Sequence, residues 1–129
     1  MHPDVISDVI GKIGEMGGNV KRDEKTDLLL VNDEFTTSLV LSRCRQTQSG
    51  SLRWIVRFDT CLEPDITIVL RMDVSNNSPL DYYLLPFIDM TFDKLQLAEE
   101  NRLHLDAYRF DNLDFFFEMA EQVRIRMAI

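Results

Sequence analysis

The stretch that decides the fold is "FTTSLVLSRCRQTQSGSLRWIVRFDT", Phe35 to Thr60. Both arms are rich in Thr, Val, Ile and aromatic residues, and "QSGS" between them is the polar, glycine-bearing signal of a hairpin turn. Successive side chains of a strand point to opposite faces. In the second arm Leu52, Trp54, Val56 and Phe58 therefore share one face, and Arg53, Ile55 and Arg57 share the other. A turn centred on Ser49 pairs residues of like parity, which brings Arg43 and Arg45 of the first arm onto the face of Arg53 and Arg57. The expectation is a half-buried antiparallel sheet with an arginine-bearing outer surface.

Working outward, "PDITIVLRMDV" (Pro64 to Val74) reads as the next strand, with Pro64 at its mouth, where a missing N–H is tolerated. Its Ile66, Ile68, Leu70 and Met72 face the core, and Thr67, Val69 and Arg71 face away. Together these strands make a three-stranded antiparallel meander, with the short strand of "DLLLVNDEF" alongside and a polar turn at Asn32-Asp33-Glu34. Towards the amino terminus, Val5, Ile6, Val9, Ile10, Ile13 and Met16 form one apolar stripe of a helix. Gly17-Gly18 supplies its left-handed stop. That helix is expected across the core face of the sheet.

The second half is less regular. "DYYLLPFIDM" is apolar enough for a strand that Pro86 confines to an edge or bends. In "KLQLAEENRLHLDAYRF" a hairpin sets Leu95 and Leu97 against Leu103 and Leu105 across "EENR"; the competing helix is short and lacks a buried stripe. A final helix, capped by Asp111 with Asp114 in its first turn, runs to about Arg126. Leu113, Phe116, Phe117, Ala120 and Val123 form its core stripe, while Phe115 and Met119 sit on a flank. That flank is either covered by a wide groove or offered to a partner chain.

Residues 1–129 are thus expected to form a single α+β domain: a mainly antiparallel sheet with an N-terminal and a C-terminal helix packed on one face. No apolar run reaches the roughly 18–20 residues of a membrane span, and the amino terminus lacks the pattern of a secretory signal. With only two cysteines, Cys44 and Cys61, a cytoplasmic location and no membrane partner are the economical expectation. The net charge of −8 is uneven. Residues 1–72 carry nine Lys/Arg against eleven Asp/Glu, and residues 73–129 carry five against eleven. An anion-binding face therefore belongs to the first half.

Arg43, Arg45, Arg53, Arg57 and Arg71 are the best candidate for chemistry, because a guanidinium fork never loses its charge and matches phosphate. The plainer reading is that they are solvated strand positions. "EPDITIVLRMD" has the outward form of a metal-dependent nuclease strand, but it offers Arg71 and Asp73 and no Glu-x-Lys. No nuclease site is expected there. His2 and His104 with the two cysteines give no metal-ligand spacing, and no glycine-rich phosphate loop is present. Hence no cofactor, metal or catalytic residue is expected.

"NDEFTTSLVLSRCRQTQSGSLRWIVRFDT", "PDITIVLRMD", "DYYLLPFIDM" and "LAEENRLHLDAYRFDNLDFFF" together resemble the carboxy-terminal region of resolvase/invertase-type (serine) recombinase-family proteins, over about residues 15–125. The catalytic serine and arginines of that family belong to another domain, with no counterpart in these residues. The resemblance implies a non-enzymatic accessory module of DNA recombination in a mobile element. It would contact DNA weakly through the arginine face, or dock a recombinase chain. The alternative is a protein-interaction or homo-oligomerisation domain that uses Phe115 and Met119 without touching nucleic acid.

Overall fold

"ITIVLRM", Ile66 to Met72, is buried at every position, and this fixes the architecture. A strand covered on both faces needs a layer on each side. The computed structural model describes residues 3–58, 62–90, 94–98 and 103–127. Within them, in chain order, lie helix α1 (Pro3–Glu15) and strands β1 (Val20–Arg22), β2 (Leu29–Val31), β3 (Phe35–Ser42), β4 (Cys44–Gln46), β5 (Leu52–Arg57), β6 (Ile66–Met72) and β7 (Pro79–Pro86). A 3-10 turn (Phe87–Asp89), β8 (Lys94–Ala98), a second 3-10 segment (Leu103–Tyr108), β9 (Arg109–Phe110) and helix α2 (Phe116–Met127) complete them.

The larger sheet has the order β1-β2-β3-β6-β7-β9, and a smaller one has the order β4-β5-β8. All pairings are antiparallel except β3 with β6, which run parallel. The α+β class and the two helices on one face stand as expected. Val5, Val9 and Ile13 of α1 join Phe116, Ala120 and Val123 of α2 over Ile66, Ile68, Leu70 and Met72. Helix α1 ends as its sequence dictates. Gly17 takes φ +92°, and the Gly17 and Gly18 N–H groups donate to the Gly14 and Ile13 carbonyls at 3.0 Å each. The β2–β3 hairpin turns through Asn32 and Asp33, both with positive φ, and closes with Glu34 N–H on the Val31 carbonyl at 3.0 Å.

Several expectations need correcting. The meander does not form, because the long first arm breaks at Arg43: β3 stays in the larger sheet and β4 leaves for the smaller one. The hairpin itself does form, centred on Ser49, with Cys44 opposite Trp54 and Arg45 opposite Arg53. Consequently Trp54 and Val56 do not lie under α1. They pack with Val69, Tyr83 and Leu85 in a second core between the two sheets, where alternation had placed solvent for Val69. The hairpin of residues 95–105 is also replaced. Strand β8 pairs with β5, residues 103–108 wind into 3-10 geometry, and Leu105 enters the second core; the "EENR" turn lies outside the described residues. Helix α2 begins at Phe116 and not at Asp111, since the Asn112 side chain accepts the Asp114 N–H in a preceding turn. Pro86 closes β7 opposite Ile66 of β6, and because β9 pairs with β7 only at Tyr82 and Tyr83, the proline end of the strand lies at an edge in the described pairings.

Candidate functional site

The break at Arg43 creates an open cationic groove. At Cys44 the chain turns out of the larger sheet, and the side chain of Asn76, from the β6–β7 turn, stands in for a strand partner. Its Oδ1 accepts the Cys44 N–H at 2.7 Å, and its Nδ2 donates to the Cys44 carbonyl at 3.4 Å. Asn76 itself needs φ +58°, which asparagine adopts more readily than most residues. Asp73 holds this turn: its Oδ1 accepts from the Ser75 hydroxyl and from the Asn77 and Ser78 N–H groups. Those bonds, the Asn77 one foremost, keep its carboxyl below the usual range.

Where β3 and β5 diverge, a groove of about 350 Å³ opens. Arg43, Arg45 and Arg57 line it together with Val40, Leu41, Ile55 and Val56, of which Ile55 is the exposed one. All three arginines are exposed, and among the described residues no carboxylate comes within ion-pair distance of them. Arg53 lies opposite Arg45 in the ladder, half-buried, with one guanidinium N–H on the Leu52 carbonyl at 2.9 Å. Like charges directly opposed across a ladder are unfavourable unless an anion joins them. The groove thus sets exposed guanidinium groups beside an apolar side chain.

Arg71 is elsewhere. It is 7% exposed, lies between the two sheets and makes a bidentate pair with Asp81, with both bonds at 2.7 Å. Its guanidinium sits 4.5 Å from the centroid of the Trp54 ring, and the indole N–H donates to the Met72 carbonyl at 2.7 Å. Arg109 Nε donates to the same Asp81 carboxylate at 2.7 Å. Burial raises the Asp81 pKa, and the hydrogen bonds from Arg71 and Arg109 outweigh it, so the carboxyl stays below its usual range. Arg71 thus cements the sheets together. Of the five arginines read from the sequence, the fold brings Arg43, Arg45 and Arg57 to one groove, sets Arg53 at its margin and removes Arg71.

The aromatic flank divides as well. Phe115 is 48% exposed, with its ring 5.6 Å from that of Phe110, whereas Met119 packs partly buried against the first core. Among the described residues no three His, Cys, Asp or Glu side chains converge as a metal site. Glu34 and Asp65 do flank one depression beside Arg124. Asp65 is already engaged there, accepting from the Thr36 N–H at 2.9 Å and from its hydroxyl at 3.2 Å. His2 and Cys61 lie outside the described residues.

No family model matches the sequence, and no curated protein matches it. A solved structure does match: the bacterial homing endonuclease I-Ssp6803I, with a TM-score of 0.63 over 98% of this chain and 93% of that one, at 14% identity. The fold is similar to a homing endonuclease. This overturns the reading as an accessory region of serine recombinases. With it go the non-catalytic role and the expectation that the chain is not an enzyme, because the near-complete overlap is with an enzyme's whole chain. The "EPDITIVLRMD" segment holds no Glu-x-Lys, so a local motif does not announce this likeness. In the structure Asp65, Arg71 and Asp73 of that segment are engaged in hydrogen bonds within the fold, and Glu63 is exposed. Among the described residues no helix is long and apolar enough to cross a membrane.

Proposed function

We propose that the chain acts on DNA as an endonuclease-like protein and holds the phosphate backbone on Arg43, Arg45 and Arg57. The observation that carries this reading is the overlap, across nearly the whole of both chains, with a homing endonuclease. The arginine groove supports it independently, since exposed guanidinium groups without carboxylate partners among the described residues suit phosphate. The acidic second half supports it in another way, by discouraging contact with DNA anywhere else on the surface. The proposal assigns the grip on DNA to these arginines and the cleavage step to no particular side chain.

Binding to duplex DNA, followed by anisotropy at several salt concentrations, tests the grip. Affinity should fall steeply with salt, and Arg43→Ala with Arg57→Ala should reduce the log–log slope by about 2. A slope that ignores both substitutions rules the groove out. Nicking or linearisation of supercoiled plasmid in the presence of magnesium or manganese tests the endonuclease reading, and intact plasmid under both metals counts against it.

The exposure of Phe115 favours a second contact, with another protein chain. Phe115→Ser should leave the fold intact and shift the mass seen by light scattering. An unchanged mass removes this reading.

A further inference from the structure

The composition of the groove says more about its ligand than its charge does. Duplex DNA buries the faces of its bases in the stack and presents phosphates, sugars and base edges. Cationic side chains suffice for the phosphates, and an aliphatic surface beneath them meets little apolar surface on a duplex beyond the thymine methyl groups. Here the arginines border such a surface. Ile55 is 39% exposed in the middle of β5, on the same face as Arg53 and Arg57, and Val40 and Leu41 of β3 also border the groove. A large aliphatic side chain open between arginines gives a ligand an apolar surface whose covering is favourable. The face of an unpaired base is such a surface, and a guanidinium plane stacks on it as well. The volume of about 350 Å³ is at the small end for ligand pockets, the scale of one nucleotide and not of a double helix.

Resting on the reading of the chain as a DNA-acting protein, we infer that this groove takes an unpaired nucleotide of a DNA strand. Its base lies over Ile55, and its flanking phosphates are held by Arg43, Arg45 and Arg57. The register favours this arrangement: side chains two residues apart on β5 are about 6.6 Å apart, so arginines stand on both sides of the base position. Free phosphate shares only the charge component of this chemistry, so the apolar surface separates the two ligands.

Anisotropy with the full chain decides it. The probes are a labelled oligothymidylate of about 12 nucleotides, within the range of single-strand sites, and its duplex with oligoadenylate at the same salt. The single strand should bind about tenfold more tightly. Ile55→Ser should weaken the single strand about tenfold and leave the duplex within about twofold; Ile55→Phe, a flatter platform, should tighten the single strand. Circular dichroism of both variants confirms folding. A duplex bound as well as the single strand, with both Ile55 variants unchanged, overturns the inference and leaves the DNA reading standing. Failure to bind either form overturns both. Inorganic phosphate that competes as well as thymidine monophosphate also overturns it, because the apolar surface is then idle.

Discussion

Asp81 shows how much one side chain can decide. It is fully buried and accepts hydrogen bonds from Arg71 and Arg109, so it neutralises a charge that the inter-sheet layer could not otherwise hold. Asp81→Asn leaves Arg71 buried with its charge uncompensated and should cost about 3–5 kcal/mol in denaturant unfolding at pH 7. Its pKa is depressed in the folded state, so its contribution is fully present above the unfolded value of about 3.9. That contribution is lost as pH falls through the lower folded value. Stability of the parent should therefore drop more steeply than that of Asp81→Asn as pH falls below about 4, and parallel curves would show that the carboxylate is not so coupled. From sequence, Arg71 looked like Arg57, since alternation gives both an outward position. Only the covering second sheet distinguishes them, and nothing local to β6 announces that sheet.

At the scale of elements, legibility followed the range of the interactions. Helix α1, its glycine stop and the Ser49-centred register could be read because each is set within a few residues. The split of the first arm could not, because it depends on Asn76, thirty-two residues from Cys44, and on β6 claiming β3 as a parallel neighbour. The arginine groove was half legible for the same reason: parity places its members on one side of the hairpin, and the corner at Arg43 decides which of them meet. The two helices meet tightly at Gly18. A methyl group there would come within 2.7 Å of both Ile13 Cγ2 and Phe117 Cζ and within 2.9 Å of the Ile13 carbonyl oxygen. Gly18→Ala should lower the midpoint of chemical denaturation by the equivalent of about 1–3 kcal/mol. No change would mean that the α1 terminus and Phe117 move apart freely.

For the whole molecule, the two cores share β6 and β7, so neither sheet has an interior of its own. We predict that residues 1–129 unfold as one domain. Trp54 fluorescence, which reports the inter-sheet core, and helical circular dichroism, which reports the other face, should give coincident urea transitions. Two separated midpoints would refute this. The parallel ladder of β3 and β6 carries a further consequence for how the chain comes to be folded. Thr37 pairs with Ile66, so the ladder cannot start until a loop of almost thirty residues has closed, with the whole β4–β5 hairpin inside it. During synthesis the first sixty residues have no central strand to dock on, and the apolar faces of β2, β3 and α1 wait for β6 to emerge. Folding should be slow for the chain's size, and the nascent amino-terminal half is the segment most exposed to aggregation and to chaperone capture.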